Sequence, residues 1–156
     1  LEEDLSLLET HHLLDDEVRV VVPKDHPLAD RQSVTLSDFS DEEWIAGCPR
    51  CRGHLVSLAQ HEGFRPNVTF EIEDYVAQIG LVTAGLGVAL VPDLILNAAK
   101  HEDVATLALS PASRRQILAV TTPDLSRVPA VSAALSALCE AAGTSVDLPD
   151  PALSPA

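Results

Sequence analysis

The segment Glu73–Pro92, E-D-Y-V-A-Q-I-G-L-V-T-A-G-L-G-V-A-L-V-P, constrains this chain more than any other. It reads as one amphipathic helix, a glycine stop, one short buried strand and a proline brake. Asp74 is a good N-cap, because its carboxylate can accept from the free amides of a first turn. Tyr75 or Val76, then Ile79 and Val82, give the helix an apolar stripe. Gly85 and Gly87 end it, and Val88 to Val91 is the buried strand. This is the closing half of a β-α-β unit, and it places the chain in the α/β class.

The rest of the chain continues the alternation. Glu17 to Pro23 is a β-branched strand stopped by its proline. His26-Pro27-Leu28-Ala29 is a turn, and Ser33 to Glu42 holds a short helical turn around Leu36 and Phe39. Trp44-Ile45-Ala46 is a short strand. A loop and a helix from about Cys51 to Glu62 follow, with Leu55, Leu58, Ala59 and Glu62 on one face and Gly63 as the stop. Val68, Phe70 and Ile72 alternate within Pro66–Glu73, the pattern of a half-buried strand. A short helix is expected over Leu94–Ala99, and strands over Val104–Leu109 and Gln116–Thr121. Pro129–Ala142 is an amphipathic helix: Pro129 suits a first turn, and Val131, Leu135, Leu138, Cys139 and Ala142 share a face. Leu1–Leu14, ending in His11-His12, reads as a linker or incoming edge. Thr144–Ala156 reads as a disordered tail, being rich in Pro, Ser and Asp.

Strands alternating with helices imply right-handed crossovers and a mostly parallel sheet flanked by helices. Ligands in such sheets bind at the carboxyl ends of the strands. Two loops stand out there, one after Trp44-Ile45-Ala46 and one after Phe70-Glu71-Ile72.

Composition narrows the function. The chain has 156 residues and a net charge of −14, so direct binding of a phosphate backbone is unfavourable. Apolar residues make up 46% but aromatics only 3%, so the core is built of Val, Leu, Ala and Ile. No apolar run approaches the ~20 residues needed to cross a bilayer. Three cysteines, an odd number, argue against a secreted disulfide framework, which leaves the cytoplasm as the expected location. The chain starts at Leu1 and contains no methionine, so it reads as a piece of a longer protein.

Several pieces, in order, resemble the effector-binding domain of LysR-type transcriptional regulators. They are L-L-D-D-E-V-R-V-V-V-P-K-D-H-P-L-A at 13–29, L-S-D-F at 36–39, E-W-I at 43–45 and G-F-R-P-N-V at 63–68. Above all there is L-V-T-A-G-L-G-V-A-L-V-P at 81–92, and R-Q-I-L-A-V at 115–120 continues the pattern. The resemblance implies a two-lobed, periplasmic-binding-protein-like (type 2) domain. A small effector would bind between the lobes and control DNA binding, within a homo-oligomer, by a winged helix-turn-helix absent from this chain. It further implies that residues 1–13 form an incoming hinge, 14–109 the second lobe, and 110–143 the strand and helix returning to a first lobe that is mostly missing. Residues 144–156 remain a tail.

The candidate site is the loop Cys48-Pro49-Arg50-Cys51-Arg52, at a strand end and a helix start. A first helical turn exposes amides and a partial positive charge, and Arg50 and Arg52 can fork onto a carboxylate. The resemblance places effector contacts at this same loop. The plainer alternative is a solvated turn with two surface arginines. Asp74 and Tyr75, at the second strand end, are either further contacts or a plain cap and a core residue.

Cys48 and Cys51 also form a C-x-x-C motif. At a helix start it is similar to a thiol-redox motif, although the remainder of a thioredoxin-like pattern is not evident. A redox or redox-sensing protein is therefore the alternative function. Adding His54 and His61 gives C-x2-C-x2-H-x6-H. Histidines seven apart lie ~10 Å apart along a helix, so one ion could reach both cysteines and one histidine, not both. His61, His11-His12 and His26 read as surface, linker and turn residues, and Cys139 as packing. No nucleophile motif, metalloprotease motif or phosphate-binding glycine loop is present, so neither enzyme chemistry nor a cofactor is expected.

Overall fold

The computed structural model describes residues 5–98 and 102–143. These divide into two compact units. One is the continuous stretch Asp16–Arg114, and the other is formed by the described residues up to Asp15 and from Arg115.

Two long strands, β1 (Glu9–Pro23) and β6 (Val104–Thr121), each run from one unit into the other. With β2 (Ser33–Val34) and β5 (Ala89–Pro92) they form a four-stranded sheet in the order β2-β6-β1-β5. β2 pairs parallel with β6, whereas β5 pairs antiparallel with β1, Val20 opposite Leu90. The sheet is therefore mixed. A second, parallel pair joins β3 (Glu43–Ala46) to β4 (Asn67–Glu71). Trp44 bridges in parallel to Val88, which attaches β3 to the head of β5.

The run of valines in β1 follows from burial on both faces. Val20 and Val22 pack with Trp44, Phe39, Leu55 and Val88, while Val21 packs with Ile45, Ile79, Val82 and Val91. All three valines are fully buried. A strand buried on both faces needs a continuous apolar run instead of alternation.

The helices between these strands are α1 (Pro49–His61) and α2 (Tyr75–Thr83), so the chain runs β3-α1-β4-α2-β5. α1 starts two residues earlier than expected, because Pro49 takes the first helical position, where a missing N–H costs nothing. Glu62, on the apolar side of α1, accepts from the amides of Leu36 and Ser37 and so ties down the 3-10 turn Leu36–Phe39. α2 closes with a Schellman motif: Gly85 N–H donates to Val82 O and Leu86 N–H to Leu81 O, with Gly85 at φ 73°. Gly87 has a different reason. Its φ is 146°, and a Cβ there would lie 2.5 Å from Glu43 O. Only glycine lets β5 approach β3 this closely.

α3 is described over Asp93–Ala98, while Ala99, in the expected helix, lies outside the described residues. α4 (Pro123–Ser126) was not expected, and α5 (Pro129–Ala142) buries Leu135 and Cys139. Leu138, assigned to the same face, is 49% exposed.

Three expectations need correction. The first is the linker alternative for the start of the chain: from Glu9 onward it is strand, in keeping with an incoming edge, and His11 and His12 lie within β1. Its alternation of half-buried Glu9, His11 and Leu13 is carried largely by polar residues, so no hydropathy pattern revealed it. The second is the break between Val104–Leu109 and Gln116–Thr121. One strand runs through Ser110-Pro111, since a proline removes one ladder donor without forcing a strand to stop. The third is Phe70, expected to be half-buried but 38% exposed on β4. The expected tail, residues 144–156, lies outside the described residues. Among the described residues no helix is long and apolar enough to cross a membrane.

Candidate functional site

β3 and β4 are parallel neighbours, so their carboxyl ends lie side by side, and Ile72 N–H donates to Ala46 O just beyond them at 2.9 Å. Each strand then opens into a helix, α1 after Gly47-Cys48 and α2 after Glu73-Asp74. The two starts touch: Cys51 Sγ lies 3.7 Å from the Tyr75 hydroxyl. All seven candidate residues, Cys48, Pro49, Arg50, Cys51, Arg52, Asp74 and Tyr75, therefore gather at one edge of the unit Asp16–Arg114.

The two starts are capped differently. Asp74 accepts from Ala77 N–H at 2.8 Å and holds the first turn of α2. This engages its carboxylate and aims Tyr75, whose ring packs beside Ile79 and Val82. Val76, the other residue proposed for that stripe, is 80% exposed. At α1 the N-cap is Cys48, which makes no side-chain capping hydrogen bond. Its sulfur lies 3.1 Å from Cys51 Sγ.

The pair is electrostatically unequal. Cys48 is pushed below the ordinary thiol value, first by the Cys51 thiol and then by the backbone amides of Cys51 and Arg50; burial and, more weakly, Glu73 oppose this. Cys51 is pushed up, first by burial and then by Cys48. Cys48 is thus the favoured thiolate and Cys51 the thiol that donates to it. The helix dipole at the start of α1 acts in the same direction.

Of the arginines, Arg52 pairs with Glu71 at 2.8 Å, both side chains about half exposed. Such a pair contributes no more than about 1 kcal/mol and exchanges readily for another anion. Arg50 is exposed at the first turn of α1.

Neither histidine of the metal alternative turns to the thiols. His54 Nε2 lies 2.8 Å from Ser113 Oγ on β6, and His61 Nδ1 lies 2.7 Å from Ser57 O in its own helix. His54 is exposed as a residue, yet packing around its ring lowers its pKa below the usual imidazole value. Among the described residues no group of three or more His, Cys, Asp or Glu side chains is placed to hold a metal ion. His26, assigned to a turn, accepts from Leu28 N–H and pairs with Glu42 at 3.2 Å. A shallow hollow of about 370 Å³, lined by Pro23, Lys24, Asp25, Thr83 and Asp103, includes none of the candidate residues.

Two supporting residues escaped the sequence reading. Gly47 carries no Cβ where one would lie 3.1 Å from Cys51 Cβ, so it leaves room for that side chain. Gln78 is buried in α2 and donates from Nε2 to Ile45 O at 2.7 Å, which fixes α2 against the end of β3. Its Oε1 is buried with no hydrogen-bond partner among the described residues. The signal for Gln78 was available: it is the one polar residue on the stripe of Tyr75, Ile79 and Val82.

Comparison with known proteins agrees with this architecture. The effector-binding domain of QuiR in complex with shikimate superposes with a TM-score of 0.77 at 25% identity, covering 92% of this chain and 69% of that one. The CcmR regulatory domain of Synechocystis in complex with 2-PG gives a TM-score of 0.78 at 17% identity, covering 86% and 67%. The fold is thus that of periplasmic-binding-protein-like effector domains. In sequence, an uncharacterised HTH-type transcriptional regulator of Bacillus subtilis, YybE, is 38% identical over 87 residues, and AlsR of the same organism is 36% identical over 77. These matches take in 53% and 47% of this chain but only 29% and 26% of those regulators. Residues 1–143 match the LysR substrate binding domain, and the chain belongs to that family.

Proposed function

We propose that this chain is the effector-sensing domain of a cytoplasmic LysR-type transcriptional regulator, and that a small anionic ligand binds where α1 begins. The unit Asp16–Arg114 serves as the second lobe of the effector domain. The observation that carries the site is the asymmetry of the two helix starts. α2 is closed by its own carboxylate, whereas α1 has no capping oxygen and is flanked by Arg50 and by an arginine in an exchangeable pair. The first-turn amides and the guanidinium groups together favour a carboxylate. QuiR, whose solved complex holds the carboxylate shikimate, supports that choice of ligand class.

In this reading Cys48, Pro49, Arg50, Cys51 and Arg52 form the anion-facing side. Tyr75 supplies the opposite wall, and Asp74 holds Tyr75 in place. The domain performs no chemistry on its ligand and needs no cofactor. Binding shifts the population of domain conformations, and a homo-oligomer relays that shift to a separate DNA-binding domain. A thermal-shift screen against small carboxylates, shikimate among them, tests the site. A hit that raises the melting temperature of the wild type, and loses most of that effect in Arg50→Ala and Arg52→Ala, supports it. Equal shifts in all three proteins overturn it.

A further inference from the structure

Effector binding leaves the C-x-x-C pair unexplained. A carboxylate site needs amides and cations at the start of α1, and it has no use for two sulfurs. Yet the two thiols are the polar centre of the loop. Their sulfurs are 3.1 Å apart, and a disulfide requires about 2.05 Å, so closure asks for a movement of about 1 Å. Both residues are half-buried and reachable from solvent. Both are in one unit and three residues apart, so closing the bond brings together no distant parts of the chain. Gly47 carries no Cβ that would crowd the Cys51 side chain. The third cysteine, Cys139, is buried on α5, in the other unit.

From this arrangement we infer that Cys48 and Cys51 are an oxidative modification site, closing to a reversible intramolecular disulfide when exposed to hydrogen peroxide. The roles follow from the geometry of the helix start. Cys48, at the N-cap, faces the amides of Arg50 and Cys51 and is the nucleophile. Its thiolate attacks one peroxide oxygen, the O–O bond breaks, and hydroxide leaves and is protonated to water. Cys48 is then a sulfenic acid. The Cys51 thiol gives up its proton and its sulfur attacks Cys48 Sγ, the S–O bond breaks, and the departing hydroxide takes that proton as a second water. Two thiols have lost two electrons and one hydrogen peroxide has gained them. A small dithiol reverses the step by exchange.

Closure changes the surface proposed to hold the ligand. It removes both titratable thiols from the start of α1 and draws Cys51 away from the Tyr75 hydroxyl. This consequence rests on the effector reading, whereas the thiol step does not.

The test needs no ligand. The reduced chain is exposed to dilute hydrogen peroxide, quenched by alkylation under denaturing conditions, and examined by intact mass and peptide mapping. The expected product is monomeric, two hydrogen atoms lighter before alkylation, alkylated only at Cys139, linked between Cys48 and Cys51, and restored by dithiothreitol. Cys51→Ser should stop at a sulfenic acid on Cys48, trapped by dimedone. Cys48→Ser should consume peroxide at least about tenfold more slowly. Three alkylated cysteines in the wild type at a peroxide dose that modifies Cys51→Ser would overturn the inference. So would a bond to Cys139, a cross-link between chains, or a Cys48→Ser variant that reacts as fast as the wild type. Loss of ligand binding in the earlier screen bears on none of these readouts.

Discussion

The starts of α1 and α2 are equivalent by topology, each following a strand of the same parallel pair, yet they end up chemically opposite. α2 begins with Asp74, whose carboxylate accepts from Ala77 N–H and provides the negative charge that a helix start favours. α1 begins with Cys48 and Pro49, and its cap is a sulfur in place of a carboxylate. A helix start that carries its own anion is finished. One capped by a thiol can take up an external anion, and its charge depends on pH and on oxidation. The difference teaches that at the carboxyl edge of a sheet, the poorly capped helix marks the ligand side and the well-capped helix supports it.

Substitutions can break or sharpen this contrast. The largest effect is expected from Gly87→Ala, which attacks the platform common to both starts. A Cβ at 2.5 Å from Glu43 O and φ 146° forces β5 from β3 and should cost about 2–4 kcal/mol, read as a drop in urea midpoint. Gln78→Leu strands Ile45 O, loosens α2 alone and should cost about 1–3 kcal/mol. Next come reciprocal cap exchanges. Asp74→Ala should lose about 1 kcal/mol, while Cys48→Asp should gain several tenths, because it gives α1 the carboxylate it lacks. The gain should come with loss of carboxylate binding. Smallest is Glu71→Gln, which changes stability by less than about 1 kcal/mol but frees Arg52 and should tighten carboxylate binding.

pH provides a further handle on α1. The His54 pKa is lowered in the folded state by partial burial, so folding favours the neutral ring. The unfolded state therefore binds the proton better, and the associated stability is complete above the unfolded value, about 6.5. It is lost as pH falls from there through the folded value. His54→Gln should flatten that limb of a melting-temperature profile between pH 7 and pH 5.

Much of this is legible in the sequence. The pattern 73–92 announced the helix, its stop and its strand, because glycine punctuation and buried valines leave few alternatives. The gathering of Cys48–Arg52 with Asp74 and Tyr75 followed from the rule that parallel strands end together. The first half of β1 was not legible, since its period of two is carried largely by polar residues. The continuity of β6 through Pro111 was not legible either, because proline is an ambiguous stop signal at the level of sequence. Gln78 stands out as a polar residue on an apolar stripe, but its acceptor, Ile45 O, lies on an element distant in sequence, which no local pattern encodes. The pairing of Arg52 with Glu71 is of the same kind.

The most direct test is a titration of the chain with shikimate followed by backbone amide resonances, run in parallel on Cys48→Asp. The account predicts the largest shifts at Arg50, Cys51 and Arg52 in the wild type, smaller ones around Tyr75, and their loss in the variant. Shifts that persist unchanged in Cys48→Asp, or that cluster around Lys24 and Asp103 instead, would contradict the assignment of the ligand to the start of α1.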